Sequence, residues 1–435
     1  MKRSFWILAA IFTIALILRL AVSFNAPVFY GGDDASYDGY AKSILDKHEM
    51  YIHGRVSSFR PPLYIMFLAF IYRFFGQDYM LIKILQSIID AITCLVIYKL
   101  GKETVSENAG ILSAFIAACY VSFICMPSHI LTETIYTFLF TLTVMFMAMN
   151  ERRPSFRWQA LMGLSLGLAS LTKGTPQLFP LCILFMMFLR VVREKVPVKK
   201  IFVEFTIVCL FFLIPIIPWT IRNYAVHKGL VLITTETGEA FYSAYHPPEG
   251  KRFGFSTADE TKRKWEKINF RSEIEGSKYL IDENLKFIKA NPMKVAKLTI
   301  LKVAFMWSPF DWEILGGNGT YNFSYGFIIP FIIIGILLTI INRMFYSLIL
   351  YLPIIYSQGI GVAFDASPRY RLPIEPFLII IASIGIIYVY QRFIKHRALV
   401  LSIMFGFLLI NFTMFLYSDT VKVFVRKGFQ LIGLW

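Results

Sequence analysis

Long apolar runs recur from one end of this chain to the other, and they constrain its fold more than any other feature. Hydrophobic residues make up 57% of the 435 positions. A run of about 20 apolar residues can cross a hydrocarbon layer of ~30 Å as a helix, which pairs its own backbone groups. The chain is therefore predicted to be an all-α polytopic membrane protein and not a soluble globular one.

Basic residues in the short loops indicate how these apolar runs are oriented in the membrane. Lys2 and Arg3 precede the first run, which we expect to be retained because no small-residue cleavage site stands out. Cytoplasmic loops carry an excess of Lys and Arg, so the N-terminus is placed in the cytoplasm and every short basic loop on that side. This count predicts about eleven transmembrane helices, give or take one. They cover 5–24, 79–100, 107–126, 129–149, 158–172, 175–192, 201–220, 324–341, 344–363, 372–391 and 398–417.

The apolar run at 61–76 is not counted as a span. From Leu63 to Phe75 a helix would be only about 20 Å long. Counting it would also move the basic loops between Lys99 and Lys200 to the wrong face. We therefore expect an interfacial or re-entrant helix here.

Three regions follow from this topology. Residues 1–221 form an N-terminal transmembrane module whose first outer loop is 25–60. Residues 222–323 form an extracytoplasmic segment of about 100 residues, mostly helical around 261–289, with a surface-lying helix at 293–302. Residues 324–435 form the C-terminal transmembrane helices.

The first outer loop contains two adjacent acids, Asp33 and Asp34. An apolar stripe with helical spacing follows them, made of Tyr37, Tyr40, Ala41, Ile44 and Leu45. A short amphipathic helix beside a span is expected to lie in the interface with its stripe in the lipid. Its N-terminus would hold both carboxylates at the membrane surface, where the helix dipole favours ionised acids. The simpler alternative is an N-cap with a solvated neighbour.

Further charged residues are predicted on the same outer face, namely Arg60, Glu133, Lys173, Arg222, Arg369 and Arg371. Ionisable residues at membrane depth are candidates for function. Because arginine binds phosphate oxygens through a bidentate fork, the cluster indicates a phosphate-bearing lipid. Taken singly, each could instead snorkel to the interface or pair with a nearby acid. Arg369 and Arg371 are predicted to lie on the outer face, whereas Lys and Arg are usually more frequent in cytoplasmic loops. Snorkelling alone therefore does not explain them.

Six short motifs occur in order along the chain: Asp-Asp-x-x-Tyr at 33–37, Arg-Pro-Pro-Leu-Tyr at 60–64, Leu-Thr-Glu-Thr at 131–134, Leu-Thr-Lys-Gly-Thr at 171–175, Pro-Trp-Thr-Ile-Arg-Asn-Tyr at 218–224 and Arg-Tyr-Arg-Leu-Pro-Ile-Glu-Pro at 369–376. Together they resemble the membrane glycosyltransferases of the GT-C type, within them the protein O-mannosyltransferase and lipid A aminoarabinose transferase branch. The resemblance covers residues 5–393. It implies the GT-C fold and a polyprenyl-phosphate-linked sugar donor.

The resemblance also implies roles for particular residues. It places the catalytic acid at Asp33, with Asp34 where the family more often has Glu, so which of the two is the base stays open. It places phosphate contacts at Arg60 and at Arg369 or Arg371. The expected reaction is an inverting transfer in which Asp33 or Asp34 deprotonates the acceptor.

Tyr37 and Tyr370 are expected to line the sugar pocket, and Glu133, Lys173 and Arg222 to contact substrate.

No cofactor is expected, because fixed cations can stabilise a phosphate leaving group without a metal. A divalent metal at Asp46, His48, Glu49 and His53 is an alternative that the loose spacing does not support.

The expected location is the bacterial inner membrane, with the active site on the extracytoplasmic face. The acceptor could be lipid A, lipopolysaccharide, another cell-envelope glycan or a protein. The absence of a recognisable peptide-reading module mildly favours a glycolipid.

Two other functions stay open: a transporter or flippase for a lipid-linked solute, and an oligosaccharide polymerase or ligase with a lipid-diphosphate donor. Nucleic-acid binding is not expected despite the net charge of +16, because many of the basic residues lie in loops between apolar runs.

Overall fold

The computed structural model describes residues 2–27, 32–52, 55–246, 272–311, 314, 319–393, 395 and 397–421. These residues fold into helices and two small pairs of antiparallel strands. The helices are α1 (Lys2–Asn25), α2 (Asp33–Lys47), α3 (Pro62–Phe75), α4 (Tyr79–Thr104), α5 (Glu107–Ala118), α6 (Val121–Cys125), α7 (Glu133–Arg152), α8 (Phe156–Thr172), α9 (Pro180–Glu194), α10 (Val198–His227), α11 (Thr237–Ser243), α12 (Glu273–Ala290), α13 (Pro292–Met306), α14 (Phe323–Ile341), α15 (Leu348–Ala363), α16 (Pro368–Arg371), α17 (Glu375–Arg392) and α18 (Arg397–Leu416). The strands are β1 (Tyr51–Ile52) with β2 (Arg55–Val56), and β3 (Phe310–Asp311) with β4 (Thr320–Tyr321). The predicted all-α class is confirmed.

Every predicted span lies on a helix. Among the described residues, seven helical segments are long and apolar enough to cross a membrane, and α5 with α6 forms an eighth that is bent by 54°. The other three predicted spans lie on α7, α8 and α18, which are helical but shorter or more polar. Local hydropathy therefore located the helices correctly.

Helix α3 has 14 residues and is about 21 Å long, too short to cross the layer. One face of it is buried, including Tyr64 and Leu68, while Phe70 and Phe74 are more than half exposed. An apolar outer face on a short helix is what an interfacial helix requires.

The apolar stripe of α2 does not face lipid, contrary to the sequence-based expectation. Tyr37, Tyr40 and Ala41 are buried in the protein core, where α2 packs on α3. Tyr37 meets Tyr64 of α3 edge to face, with ring centroids 5.3 Å apart. Helix α3 therefore covers the stripe and holds the N-terminus of α2 in place.

Helices α8 and α10 cross in direct backbone contact. A Cβ added at Gly163 would lie 2.3 Å from the carbonyl oxygen of Val208, and one at Gly167 would lie 2.4 Å from that of Phe212. Only glycine permits this approach. Helix α17 lies at the centre of the bundle, and its first twelve positions, 375–386, are all buried.

In the segment 222–323, the predicted helix at 261–289 is present as α12 from Glu273, whereas 261–271 lie outside the described residues. The predicted helix at 293–302 lies within α13. Lys302 does not lie on an exposed surface as expected, because α13 packs against α15. Its ammonium donates a hydrogen bond of 3.0 Å to the carbonyl of Val362, and burial lowers its pKa to about 8.

Candidate active site

The carboxylate of Asp33 lies between two arginines. Asp33 is the first residue of α2, after Gly32, whose φ of 90° is a backbone conformation that favours glycine. Oδ1 of Asp33 accepts a hydrogen bond from Nη2 of Arg60 at 2.5 Å, and Oδ2 accepts one from Nη1 of Arg369 at 3.0 Å. Burial opposes ionisation of this carboxyl, but Arg60 and Arg369 outweigh it and hold the pKa of Asp33 below its usual range. Asp33 is therefore charged at neutral pH.

Glu133 extends this arrangement on the other side of Arg369. It is the first residue of α7 and is fully buried. Its Oε1 accepts hydrogen bonds from Nε of Arg369 at 2.7 Å and from Nζ of Lys173 at 2.8 Å. A buried carboxylate persists where it is paired in this way. Arg369 thus joins the N-termini of α2 and α7.

Glu236, which was not recognised from the sequence, completes the group. Nη1 of Arg60 donates to its Oε1 at 2.5 Å. Burial raises the pKa of Glu236, and Arg60 only partly opposes this effect. An isolated glutamate in a mixed-charge segment carries no motif that could have identified it.

Six residues therefore form what we call the carboxylate–cation cluster. Its ion pairs run in the order Glu236, Arg60, Asp33, Arg369, Glu133 and Lys173. Acids and bases alternate along this series, so each charge is held by an opposite one. The cluster draws on α2, the stretch before α3, α7, the end of α8, the stretch before α11, and α16.

Two tyrosines expected at the site lie beside its cations. The guanidinium carbon of Arg60 is 5.3 Å from the ring centroid of Tyr37, and Nζ of Lys173 is 4.2 Å from that of Tyr370. These are cation–π distances. Both aromatic faces therefore border the carboxylate–cation cluster.

Asp34, the other acid of the pair, is the second residue of α2 and is 2% exposed. Its Oδ1 accepts a hydrogen bond of 3.0 Å from the backbone N–H of Ala35.

Arg371 lies away from Asp33. Its Nε donates to Glu375 at 3.0 Å, and its Nη1 donates to the carbonyls of Met306 and Ser308 at 2.7 Å each. Its guanidinium also stacks on Tyr325, 3.6 Å from the ring centroid. Side chains two residues apart on a helical turn point to different sides, so only Arg369 reaches the cluster. Of the two alternatives, the structure brings Arg369 to the acid.

Arg222 also pairs outside the cluster. Its Nη2 donates to Glu49 at 2.5 Å, and its Nη1 donates to the carbonyl of Ser57 at 3.0 Å and to the hydroxyl of Ser58 at 2.7 Å. Arg222 therefore braces the backbone that leads to Arg60.

The alternative metal group is not assembled in the part that the structure describes. Glu49 pairs with Arg222, and His53 lies outside the described residues. Among those residues, no three His, Cys, Asp or Glu side chains lie together as metal ligands would.

The carboxylate–cation cluster lies at one end of the bundle. Glu133 begins α7, which ends at Arg152, and Lys173 follows the end of α8, which begins at Phe156. Twenty residues of helix span about 30 Å. The cluster is thus a helix length away from the basic turn at 152–157.

Comparison with known proteins finds a family model that matches part of this chain and solved structures that share its fold. A family model described as dolichyl-phosphate-mannose-protein mannosyltransferase matches residues 59–219. No curated protein matches the sequence.

Among solved structures, the oligosaccharyltransferase AglB from Archaeoglobus fulgidus, in complex with an inhibitory peptide and a dolichol-phosphate, aligns with a TM-score of 0.57 and 14% identity over 94% of this chain and 54% of that one. The same organism's oligosaccharyltransferase with Zn and sulfate aligns with a TM-score of 0.59 and 15% identity over 93% and 52%. This chain spans about half the length of these proteins.

ArnT from Cupriavidus metallidurans, bound to undecaprenyl phosphate, aligns with a TM-score of 0.46 and 12% identity over 88% of this chain and 79% of that one. The likeness to AglB shows that the two proteins share a fold, and the family model matches the stretch 59–219 of this chain.

Proposed function

We propose that this protein is an inverting glycosyltransferase that moves a sugar from a polyprenyl-phosphate donor to an acceptor on the extracytoplasmic face of a bacterial inner membrane. The observation that carries the proposal is the carboxylate of Asp33 held between Arg60 and Arg369 at 2.5 and 3.0 Å. One base and two cations that can hold a phosphate are what this reaction needs.

Arg60 and Arg369 bind the phosphate of the donor, whose oxygens suit their forked N–H groups. Asp33 takes the proton of the acceptor hydroxyl or amine as that atom attacks the anomeric carbon, a step that contributes ~10²–10⁴-fold. The bond from the anomeric carbon to the phosphate oxygen breaks, and polyprenyl phosphate leaves with the electron pair. The two arginines stabilise this charge. A single displacement inverts the anomeric centre.

Donor binding activates the base in this scheme. In the free protein both arginines hold the pKa of Asp33 down, which makes it a weak base. A donor phosphate shares those arginines and offsets their positive charge. The proton affinity of Asp33 then rises only when the substrate is in place.

Tyr37 and Tyr370 border the same cations and provide apolar faces for the sugar ring. Asp34 is the alternative base, since it is the neighbouring acid at the start of α2.

The position of the carboxylate–cation cluster supports an active site on the extracytoplasmic face of the membrane. It lies at the opposite ends of α7 and α8 from Arg152, Arg153 and Arg157. Basic turns of this kind face the cytoplasm. The carboxylate–cation cluster then lies on the extracytoplasmic side.

An acceptor for this site must be present on that side of the membrane. We take it to be lipid A, lipopolysaccharide or another cell-envelope glycan, with a protein as the alternative.

A second candidate is transfer of an oligosaccharide from a lipid-diphosphate donor. The fold likeness to AglB, an oligosaccharyltransferase, favours it. The two functions differ in donor, so one assay separates them.

The assay incubates purified protein with a polyprenyl-phosphate monosaccharide and a cell-envelope glycolipid, and measures the polyprenyl phosphate released. Release that depends on the acceptor supports the proposal. A parallel reaction supplies a lipid-diphosphate oligosaccharide, and release of polyprenyl diphosphate from that donor alone supports the second candidate. A transporter or flippase would release neither product.

A further inference from the structure

We propose that the carboxylate of Glu236 occupies the phosphate position on Arg60 while no donor is bound, and that the donor phosphate displaces it. This inference rests on the proposed function. It assigns to Glu236 the part of a placeholder that sets the affinity of the site for lipid phosphate.

Both Nη atoms of the Arg60 guanidinium pair with carboxylates. Nη1 contacts Glu236 and Nη2 contacts Asp33, each at 2.5 Å. Nε is buried without a hydrogen-bond partner among the described residues. Both Nη atoms already donate to a carboxylate, so a phosphate that binds them competes with the two carboxylates for the same nitrogens.

Glu236 is the carboxylate that can leave. Asp33 is also held by Arg369 at 3.0 Å, whereas among the residues that the structure describes Glu236 forms its ion pair with Arg60 alone. The side chain of Glu236 is 28% exposed, so it can turn toward solvent. The charged groups that face it are Asp33, Arg60, Lys173 and Arg369. Burial raises its pKa, which makes the neutral form easier to reach once Arg60 is withdrawn.

Hydrogen bonds anchor the backbone around Glu236, so the exchange involves a rotation of its side chain only. The N–H of Thr235 donates to the carbonyl of Ser58 at 3.0 Å, and the hydroxyl of Thr234 donates to the carbonyl of Phe59. The N–H of Gly238 donates to the hydroxyl of Ser277 at 3.0 Å. Thr234 and Thr235 are thus fixed against the stretch that carries Arg60, and Gly238 is fixed against α12.

The exchange has a consequence for turnover. After transfer, polyprenyl phosphate must leave two arginines that hold it well. Return of Glu236 to Arg60 competes with the phosphate and favours its release. The placeholder therefore weakens both donor and product binding.

The test measures binding of polyprenyl phosphate to the purified full-length protein by native mass spectrometry. Glu236→Gln keeps the size of the side chain but removes its charge. It should bind polyprenyl phosphate about 3–10-fold more tightly than wild type. Glu103→Gln is the matched control, since Glu103 pairs with Lys99 at 2.6 Å at the other end of the bundle, close to Arg152. It should leave the affinity unchanged.

Arg60→Met separates this inference from the proposed function. If Arg60→Met binds polyprenyl phosphate as wild type does, the proposed phosphate site itself is wrong. If Arg60→Met weakens binding while Glu236→Gln leaves it unchanged or weaker, only the placeholder is wrong.

The double variant Glu236→Gln with Arg60→Met guards against an indirect effect of folding. Because Glu236 acts through Arg60, the double variant should bind no more tightly than Arg60→Met alone. A gain that persists without Arg60 would overturn the inference.

Discussion

Nη1 of Arg369 lies 3.0 Å from Oδ2 of Asp33, although 336 positions separate the two residues in the chain. The same guanidinium donates through Nε to Glu133 at 2.7 Å. Asp33 begins α2 and Glu133 begins α7, so one arginine joins two helix N-termini, where the helix dipole also favours carboxylates. A change to any of these three side chains should therefore alter the ion pairing of the other two.

Asp33→Asn should lower the transfer rate by about 100-fold or more, because the amide cannot accept the acceptor's proton. Donor binding should persist, since Arg60 and Arg369 remain. Transfer rate and donor affinity are measured separately in membranes and with purified protein. Asp34→Asn is the comparison. If both variants kept full transferase activity, neither acid would be the base and the mechanism would fail.

Glu133→Gln should destabilise the protein and impair catalysis together. Removing one partner of a buried ion pair costs about 3 kcal/mol, and here Lys173 and Arg369 both lose their carboxylate. Thermal unfolding in detergent gives the change in Tm. Glu283→Gln is the control, because Glu283 pairs with Lys286, which is 75% exposed, and should leave Tm nearly unchanged. Equal shifts for both variants would contradict the assignment.

Arg369→Met should lower donor affinity, whereas Arg371→Met should chiefly lower stability. Arg369→Met removes a phosphate contact, so donor affinity should fall about tenfold or more. The buried Glu133 also loses one of its two cations, so Tm should fall as well. Arg371→Met leaves Glu375 and the carbonyls of Met306 and Ser308 without their buried donor, so Tm should fall. The opposite pattern, with Arg371→Met stable but unable to bind donor, would reverse the roles of the two arginines.

Donor affinity should increase as the pH falls. A protonated Glu236 no longer holds Arg60, and its pKa is raised by burial, so this release begins above the usual glutamate value of 4.5. The pKa of Asp33 is lowered in the free protein, so Asp33 stays charged there over the same range.

A polyprenyl-phosphate monosaccharide is the suitable probe for this pH dependence, because a phosphodiester keeps one charge between about pH 5 and 8. The donor affinity of Glu236→Gln should depend on pH less steeply than that of the wild type over that range. A flat profile in the wild type would remove the link between Glu236 and phosphate binding.

A reporter fused after Arg153 should behave as cytoplasmic, and one fused after Lys228, beyond the end of α10, as extracytoplasmic. The contrast follows from the basic turns at 152–157 and from the position of the carboxylate–cation cluster at the other end of α7 and α8. Opposite signals from the two fusions would place the site on the cytoplasmic side.

The positions of the helices could be predicted from the sequence because the required properties are local. A bilayer selects for apolar length and for basic flanks, and both can be read without knowing any contact. The predicted spans lie on helices for this reason, and α3 is short and apolar as expected.

The surroundings of α2 could not be predicted in the same way. Its stripe of Tyr37, Tyr40 and Ala41 is apolar whether it meets lipid or protein, since lipid tails and a protein core are equally apolar. Only packing shows that α3 covers it.

What the sequence determined by itself is the helical membrane architecture and a set of candidate acids and bases. What only the tertiary structure decided is which of them meet. Arg369 and Arg371 are two residues apart with similar neighbours, yet one reaches Asp33 and the other pairs with Glu375. Glu236 has no local signal, and it joins Arg60 because the stretch at 234–236 packs against 58–60. Ion pairs between distant segments depend on where helices end and cross, and that is a property of the packed chain.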